Sequence, residues 1–335
     1  LSLEETAKPT LENAGDVIVK VTAAAICASD IHLWKGEVPS VPNYILGHEF
    51  IGVIDEAGSG VKHFPPGTRV AVPAIPFCGT CAACQEGEYF RCRESHMFGW
   101  RTPKANLPGG QAEYVRVPYA DHCLVPIPET VTDKQALLTG DILSTAYFGI
   151  INGKLEPGQD IAIFGAGPVG LCAVACARLF SPARIILIDL EDNRLEMGKR
   201  LGATHTLNPS QDDVLPAIKA ITGKRGVDVS LDAVGIPSTL DDSIKATTPG
   251  GIISNVGLGP SAFKVNMGLM FMKNLTYKTG FVNLNQMQRL MKLIASGQLD
   301  VTPIITHLMP LDDIIAGYQM FAERADNCIK ILITP

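Results

Sequence analysis

The sequence predicts a two-domain protein of α/β plus β class, with a barrel-like β domain and a domain built on a doubly wound parallel sheet. Three observations predict it. Up to about residue 140, short β-like runs are separated by glycine and proline. From about residue 143, helical patterns alternate with short, almost continuous apolar strands. A glycine-rich turn joins one of those strands to the helix that follows it. The length of 335 residues suits two domains better than one.

In the first region the β signal is carried by Val17-Ile18-Val19-Lys20-Val21, Ile51-Gly52-Val53-Ile54 and Arg69-Val70-Ala71-Val72. In the second, Ile161 to Phe164 precedes a helical pattern from Leu171 to Phe180. Ile185 to Ile188 precedes another from Asn193 to Leu201, and Val227 to Leu231 and Gly251 to Val256 are further strands. Most of these runs do not alternate polar with apolar, as strands covered by helices on both faces should not. A helix is expected from Leu284 to Ser296, and a closing strand-like segment, Cys328 to Thr334, is expected to return to the first domain. The expected domains are therefore residues 1–142 with 282–335, and residues 143–281.

Composition narrows the function classes. The chain is 46% hydrophobic and 19% charged, ordinary for a globular protein with sizeable cores. A net charge of -6 argues against nucleic acid as a ligand, because phosphate binding needs a basic face. No apolar run reaches the roughly eighteen residues that span a bilayer. Leu1 to Pro9 do not read as a signal peptide, so the cytoplasm is the expected compartment and no membrane partner is expected. Of nine cysteines, four crowd between Cys78 and Cys92, which reads as metal ligation before crosslinking. Cys123, Cys172, Cys176 and Cys328 lie in apolar surroundings and read as small core residues.

The glycine-rich turn is Gly165-Ala166-Gly167-Pro168-Val169-Gly170. Its glycines serve a tight turn, close approach to a pyrophosphate and close helix–strand packing, and the helix start offers N–H groups to phosphate. Asp189 closes the next strand, about 20 residues on, where a carboxylate bonds both ribose hydroxyls and repels a 2′-phosphate; NAD is therefore expected over NADP. Arg194 is compatible with a contact at the ribose edge and equally with a solvated charge at a helix start.

Cys78, Cys81, Cys84 and Cys92 have the spacing C-x2-C-x2-C-x7-C. Four thiolates this close can complete a tetrahedron around zinc, and a closed set of four sulfurs is structural because no position remains for substrate. An iron–sulfur cluster also takes four cysteines, but the proline that often follows the last one is missing.

Two other segments hold metal-capable residues among small or apolar neighbours: Cys27-Ala28-Ser29-Asp30-Ile31-His32 and Gly47-His48-Glu49-Phe50-Ile51-Gly52. A catalytic zinc needs three protein ligands and one open position. Cys27 and His48 are natural ligands. Asp141, alone between Gly140 and Ile142, is the candidate third, since a carboxylate there is costly to bury unless it meets a cation. Taken singly, Cys27 is compatible with a core position, His48 with a satisfied buried histidine and Asp141 with a helix cap.

The order Cys27, Gly47-His48-Glu49, the four-cysteine segment and then the glycine loop resembles the zinc-dependent medium-chain alcohol dehydrogenases, over nearly the whole chain. The resemblance implies a GroES-like β-barrel catalytic domain, a Rossmann coenzyme domain, two zinc ions per subunit and NAD. It implies that Asp141 stands where the family carries Cys or Asp, that Glu49 is a transient zinc ligand, and that Asp30 orients His48. It implies a proton relay from the alcohol through Ser29, the cofactor's ribose hydroxyl and His32. It places Lys330 on the cofactor pyrophosphate, Val256 and Leu258 along the nicotinamide, and Trp100 in the substrate pocket. A homo-oligomer is implied, a tetramer before a dimer. Relative to the family the chain lacks an opening β-strand, as if shortened at its start.

The expected substrate is a small alcohol, giving an aldehyde or ketone. A polyol or sugar dehydrogenase and a formaldehyde dehydrogenase are the alternatives within the family; Trp34, Ile75, Trp100 and Leu258 favour an apolar pocket over a polyol site. A zinc-lobed nucleic-acid binder is disfavoured by the acidic Gln85-Glu86-Gly87-Glu88 inside the lobe. A zinc-free quinone reductase or lens-type relative would lack the ligand set of Cys27, His48 and Asp141.

Overall fold

The structure is a computed structural model describing residues 1–103, 106–259 and 264–335. The strands are β1 (Val17–Ala25), β2 (Glu49–Ala57), β3 (Arg69–Ala71), β4 (Tyr114–Val117), β5 (Val125–Pro126), β6 (Asp160–Phe164), β7 (Arg184–Ile188), β8 (His205–Leu207), β9 (Val227–Asp232), β10 (Thr247–Asn255), β11 (Thr276–Thr279), β12 (Ile305–Pro310) and β13 (Lys330–Thr334). The chain divides into two compact units, Leu1–Ser144 with Asn283–Pro335, and Thr145–Val282.

The first unit is built on a mostly antiparallel sheet in the order β12-β13-β1-β2-β3-β5, with β4 also on β1. β1 is the hub. Its first half pairs with β4 and its last residues with β13, both antiparallel, while β2 lies along its other edge. Two register irregularities against β2 curl the ribbon, as bulges increase local twist. The pairing brings the end of β1, the start of β2 and the middle of β13 together: Ala25 lies opposite both Glu49 and Leu332. The closing segment returns to this unit because alternate residues of Lys330-Ile331-Leu332-Ile333 are bulky and apolar and all are buried. Phe50 and Phe98 pack edge to face at 5.0 Å inside it, and Tyr318 is fully buried.

The second unit carries a six-stranded sheet in the order β11-β10-β9-β6-β7-β8, parallel throughout. This is the doubly wound order, whose direction reverses between β6 and β9, so ligand-binding loops gather beyond the ends of those strands. Every residue of β6 is buried, as the continuous apolar run requires. Cys172 and Cys176 are buried in the helix Pro168–Arg178, as small core residues. β10 begins at Thr247 rather than Gly251: Pro249, Gly250 and Gly251 sit inside it, where the register against β9 shifts. Among the described residues no helix is long and apolar enough to cross a membrane.

Candidate metal centres and dinucleotide loop

The first unit gathers Cys27, His48, Glu49 and Asp141 so that one donor atom from each lies within 4.8 Å of the others. Local structure explains each position. Cys27 follows β1 and caps the helix Ala28–Trp34. His48 and Glu49 open β2. Asp141 follows the 3-10 turn Leu137–Gly140. The turn into His48 requires glycine: Gly47 has φ +96°, and a Cβ there would come 2.5 Å from Gln111 Cγ.

Within the cluster, His48 Nε2 lies 3.3 Å and Cys27 Sγ 3.7 Å from Asp141 Oδ2. Burial pushes the Cys27 thiol up, with the Glu49 charge adding to it. Burial likewise raises the Glu49 carboxyl, although Lys330 opposes the shift. Burial also works against the Asp141 charge, yet the hydrogen bond and charge of His48 hold that carboxyl low. Burial works against imidazolium at His48, but the Asp30 and Cys27 charges hold it well up. Glu49 Oε2 is buried without a hydrogen-bond partner. A thiol and two carboxyls, one of them with an unpartnered oxygen, face one small volume, an arrangement of donors that a cation would satisfy. Sulfur, imidazole nitrogen and carboxylate oxygen form a donor set suited to zinc.

Ser29 Oγ lies 4.0 Å from Cys27 Sγ, and His32 sits one helical turn further along the same face. His32 is partly exposed and hydrogen-bonds Glu37 through Nδ1.

Lys330 stands beside the cluster. Its side chain is 1% exposed, and Nζ donates to Glu49 Oε1 at 2.6 Å. β13 runs beside the end of β1, which turns this ammonium toward the cluster.

Behind His48 lies a buried support, and two of its members, Gln111 and Tyr318, were missed from sequence. Asp30 Oδ1 lies 3.2 Å from His48 Nδ1, a close electrostatic contact rather than an aligned hydrogen bond. Asp30 Oδ2 accepts from Cys27 N at 2.9 Å and from Gln111 Nε2 at 3.2 Å. Gln111 Nε2 also donates to Ala25 O, and Tyr318 Oη donates to Gln111 Oε1 at 2.7 Å. The available signal was a lone amide, Gln111, after Gly109-Gly110 at the start of a β-like run.

The cysteine lobe is compact. Sγ of Cys78 is 4.0 Å from that of Cys84 and 3.6 Å from that of Cys92, and all four donors lie within 4.8 Å. Four sulfurs about 2.3 Å from a central zinc stand about 3.8 Å apart, so the lobe fits the ion. Burial opposes the Cys78 thiolate, but N–H and hydroxyl donors, Thr80 foremost, bring it down to about 6; burial pushes Cys84 up to about 12. None of the four sulfurs is in a disulfide. Asn283 ties the lobe down, accepting from Tyr89 N at 3.0 Å and donating to Gly87 O at 2.7 Å.

In the second unit the glycine loop follows β6, and Gly167 caps the helix Pro168–Arg178, with Pro168 in its first turn. Gly170 is required by packing, since a Cβ there would lie 1.8 Å from Gly165 O, whereas Gly167 faces open space. Asp189 follows β7, and its carboxylate accepts from Ala166 N at 2.5 Å and Glu191 N at 2.9 Å, so it braces the loop as well as standing beside it. Arg194 lies in the first turns of the helix Asp192–Leu201. Val256 follows β10 and donates its N–H to Asp232 O, and Leu258 beyond it is exposed. In the first unit, Trp100 donates to Pro39 O at 3.0 Å and lines a cavity of about 440 Å³ with Pro39, Val41 and Pro103.

Fold and sites together define a metal-dependent dehydrogenase. Residues 13–129 match the alcohol dehydrogenase GroES-like domain, and residues 168–296 match the zinc-binding dehydrogenase model. An alcohol dehydrogenase of Cupriavidus necator is 37% identical, covering 96% of this chain and 92% of its own. The alcohol dehydrogenase TADH from Thermus sp. ATN1 superposes with a TM-score of 0.93 at 36% identity, over 99% of this chain and 95% of its own. A zinc-binding dehydrogenase structure from Sinorhizobium meliloti 1021, bound to NADP, superposes with a TM-score of 0.88 at 31% identity, over 97% and 94%. The chain belongs to the zinc-dependent medium-chain alcohol dehydrogenase family.

Proposed function

We propose that this member of the family is an NAD-linked alcohol dehydrogenase holding two zinc ions per subunit and interconverting a small alcohol with its aldehyde or ketone. The observation that carries the reading is the convergence of Cys27, His48 and Asp141 with a buried Glu49 oxygen that lacks a partner. Cys27, His48 and Asp141 would hold the catalytic ion, and Cys78, Cys81, Cys84 and Cys92 the structural one. Zinc, when bound, supplies a Lewis acid that lowers the pKa of the alcohol or polarises the carbonyl. NAD, when bound, accepts the hydride.

The other steps belong to the chain. Glu49 supplies a further carboxylate beside the three ligands, and Lys330 holds one of its oxygens back. The Ser29 hydroxyl would accept the substrate proton while releasing its own, which the ribose hydroxyl of a bound cofactor would pass to His32, steadied by Glu37, and so to solvent. Gly165, Gly167, Pro168, Val169 and Gly170 receive the pyrophosphate on the helix start, Asp189 bonds the ribose with Arg194 beside it, and Val256 and Leu258 border the nicotinamide. The residues that the sequence assigns to the pocket wall, Trp34, Ile75, Trp100 and Leu258, favour a hydrophobic alcohol over a polyol. By resemblance the protein is a cytoplasmic homotetramer.

Metal analysis combined with a panel of primary, secondary and polyol substrates, each with NAD and NADP, tests the reading. It expects about two zinc per chain, turnover of apolar alcohols and a preference for NAD. Absence of zinc overturns it. A strong preference for NADP, the cofactor seen in the Sinorhizobium neighbour, overturns the role given to Asp189.

A further inference from the structure

We infer that Gln111 and Tyr318 are positioning residues for the catalytic metal site: Gln111, from the loop before β4, and Tyr318, from the helix Ile314–Glu323, fix Asp30 and through it the ring of His48. The inference rests on the reading that Cys27, His48 and Asp141 hold zinc.

The hydrogen-bond inventory admits one arrangement. Gln111 has one acceptor oxygen and two N–H donors. Its oxygen meets the Tyr318 hydroxyl, and its nitrogen meets two acceptors, Ala25 O and Asp30 Oδ2, each at 3.2 Å. A reversed amide would set its oxygen against a carbonyl and a carboxylate. Tyr318 is therefore the donor. Asp30 Oδ2 then takes two N–H groups, from Cys27 and Gln111, which leaves Oδ1 facing His48 Nδ1. A carboxylate held at Nδ1 keeps the proton there and presents the Nε2 lone pair toward Asp141 and Cys27.

The elements involved come from distant parts of the chain: Gln111 and Tyr318 are 207 residues apart. All four side chains are buried, Tyr318 at 1% and Asp30 at 0% exposure. Tyr318 also meets Trp34 edge to face at 5.8 Å, at the end of the helix that carries Asp30. The Gln111 stem fills the space beside Gly47, next to His48. The helix Ile314–Glu323 thus touches the support of His48 from two sides, without itself offering a ligand.

Two variants separate positioning from packing. Tyr318→Phe removes only the hydroxyl and keeps the ring on Trp34. Gln111→Met keeps the length and removes the amide. In zinc-loaded protein, transfer of zinc to a colour-forming chelator is followed over time, with the lobe zinc as internal reference. Release from the catalytic site is expected about fivefold faster in Tyr318→Phe and about tenfold faster in Gln111→Met, with lobe release unchanged. The double variant is expected to match Gln111→Met, because the hydroxyl acts only through the amide. With cobalt(II) in the catalytic site, the visible absorption band is expected to shift in both single variants, which a purely structural role would not produce. Parental zinc release and an unmoved cobalt band in both variants overturn the inference, as do additive effects in the double variant. If Gln111→Met does not fold, Tyr318→Phe decides on the same readouts. A parent that holds zinc only in the lobe overturns the reading of the catalytic site itself, a result distinct from parental behaviour of the variants.

Discussion

The cysteine lobe draws its donors from one stretch, residues 78 to 92, whereas Cys27, His48, Glu49 and Asp141 come from the end of β1, the start of β2 and a turn near the close of the first unit's N-terminal segment. The lobe is four sulfurs, set at spacings that match a closed tetrahedron. The second cluster mixes sulfur, imidazole and carboxylates, and a buried ammonium, Lys330, neutralises one of them. The difference teaches that a structural site can be encoded by local spacing, since it only has to close on its ion. A catalytic site must leave a position open and tune the groups around it, so its parts are set by long-range pairing and a supporting shell.

The sharpest way to break the comparison is His48→Ala. It is expected to remove one zinc, leave the lobe zinc in place and lower kcat/KM for alcohols at least about 10³-fold, the equivalent of about 4 kcal/mol. Metal content and steady-state kinetics on the same preparation check it, and loss of both ions together would show that the two sites are not independent.

Cys84→Ser addresses the other cluster. The lobe is expected to lose its zinc and the thermal midpoint to fall by about 10 °C, while the molecules that remain folded keep their catalytic zinc. Calorimetry alongside metal analysis reads both. The hydrogen bonds of Asn283 to Tyr89 and Gly87 predict that the C-terminal segment of the first unit loosens too, visible as faster amide exchange after residue 283.

Lys330→Met isolates the charge balance that the lobe does not need. Glu49 would be left buried without its cation, costing about 3 kcal/mol of stability in denaturant unfolding, and Lys330→Arg should restore most of it. Adding Glu49→Gln to Lys330→Met is expected to recover stability, since the uncompensated charge is gone. Weaker NAD binding in Lys330→Met would bear out the pyrophosphate role that the resemblance implies for this lysine, and unchanged stability would overturn the charge balance with Glu49.

The smallest effect concerns Asp121, which ties residues 62 and 63 to the short helix beside the lobe. Burial works against its charge, but the N–H groups of His63 and Lys62 hold the carboxyl below its ordinary value. A lowered folded value contributes stability that is complete above the ordinary carboxylate range and lost as pH falls through it. Asp121→Ala should therefore cost about 1 kcal/mol or less at neutral pH and nothing in strong acid, as unfolding curves at the two pH values would show.

Much was legible because it is local. The alternation of apolar strands with helices, the glycine loop before Pro168 and the C-x2-C-x2-C-x7-C spacing are properties of short stretches, and each states its structure through sterics or ligand geometry. Asp141 was legible for a different reason: a carboxylate in an apolar run needs a partner, even when the partner is unknown. The pairing of Lys330 with Glu49 was not legible, because only the register of β13 beside β1 turns that lysine inward. Gln111 and Tyr318 gave little signal, since nothing in their neighbours announces that an amide and a phenol so far apart will meet.

The sequence by itself determined which residues are chemically able to bind metal, where the dinucleotide loop lies and that two kinds of sheet would form, because composition, spacing and period act over a few residues. The tertiary structure alone decided that the end of β1 meets the start of β2 and the middle of β13, that Gln111 and Tyr318 stand behind Asp30, and that Lys330 pairs with Glu49. Those outcomes depend on strand register and helix packing between distant segments, and such pairing is a property of the folded chain as a whole.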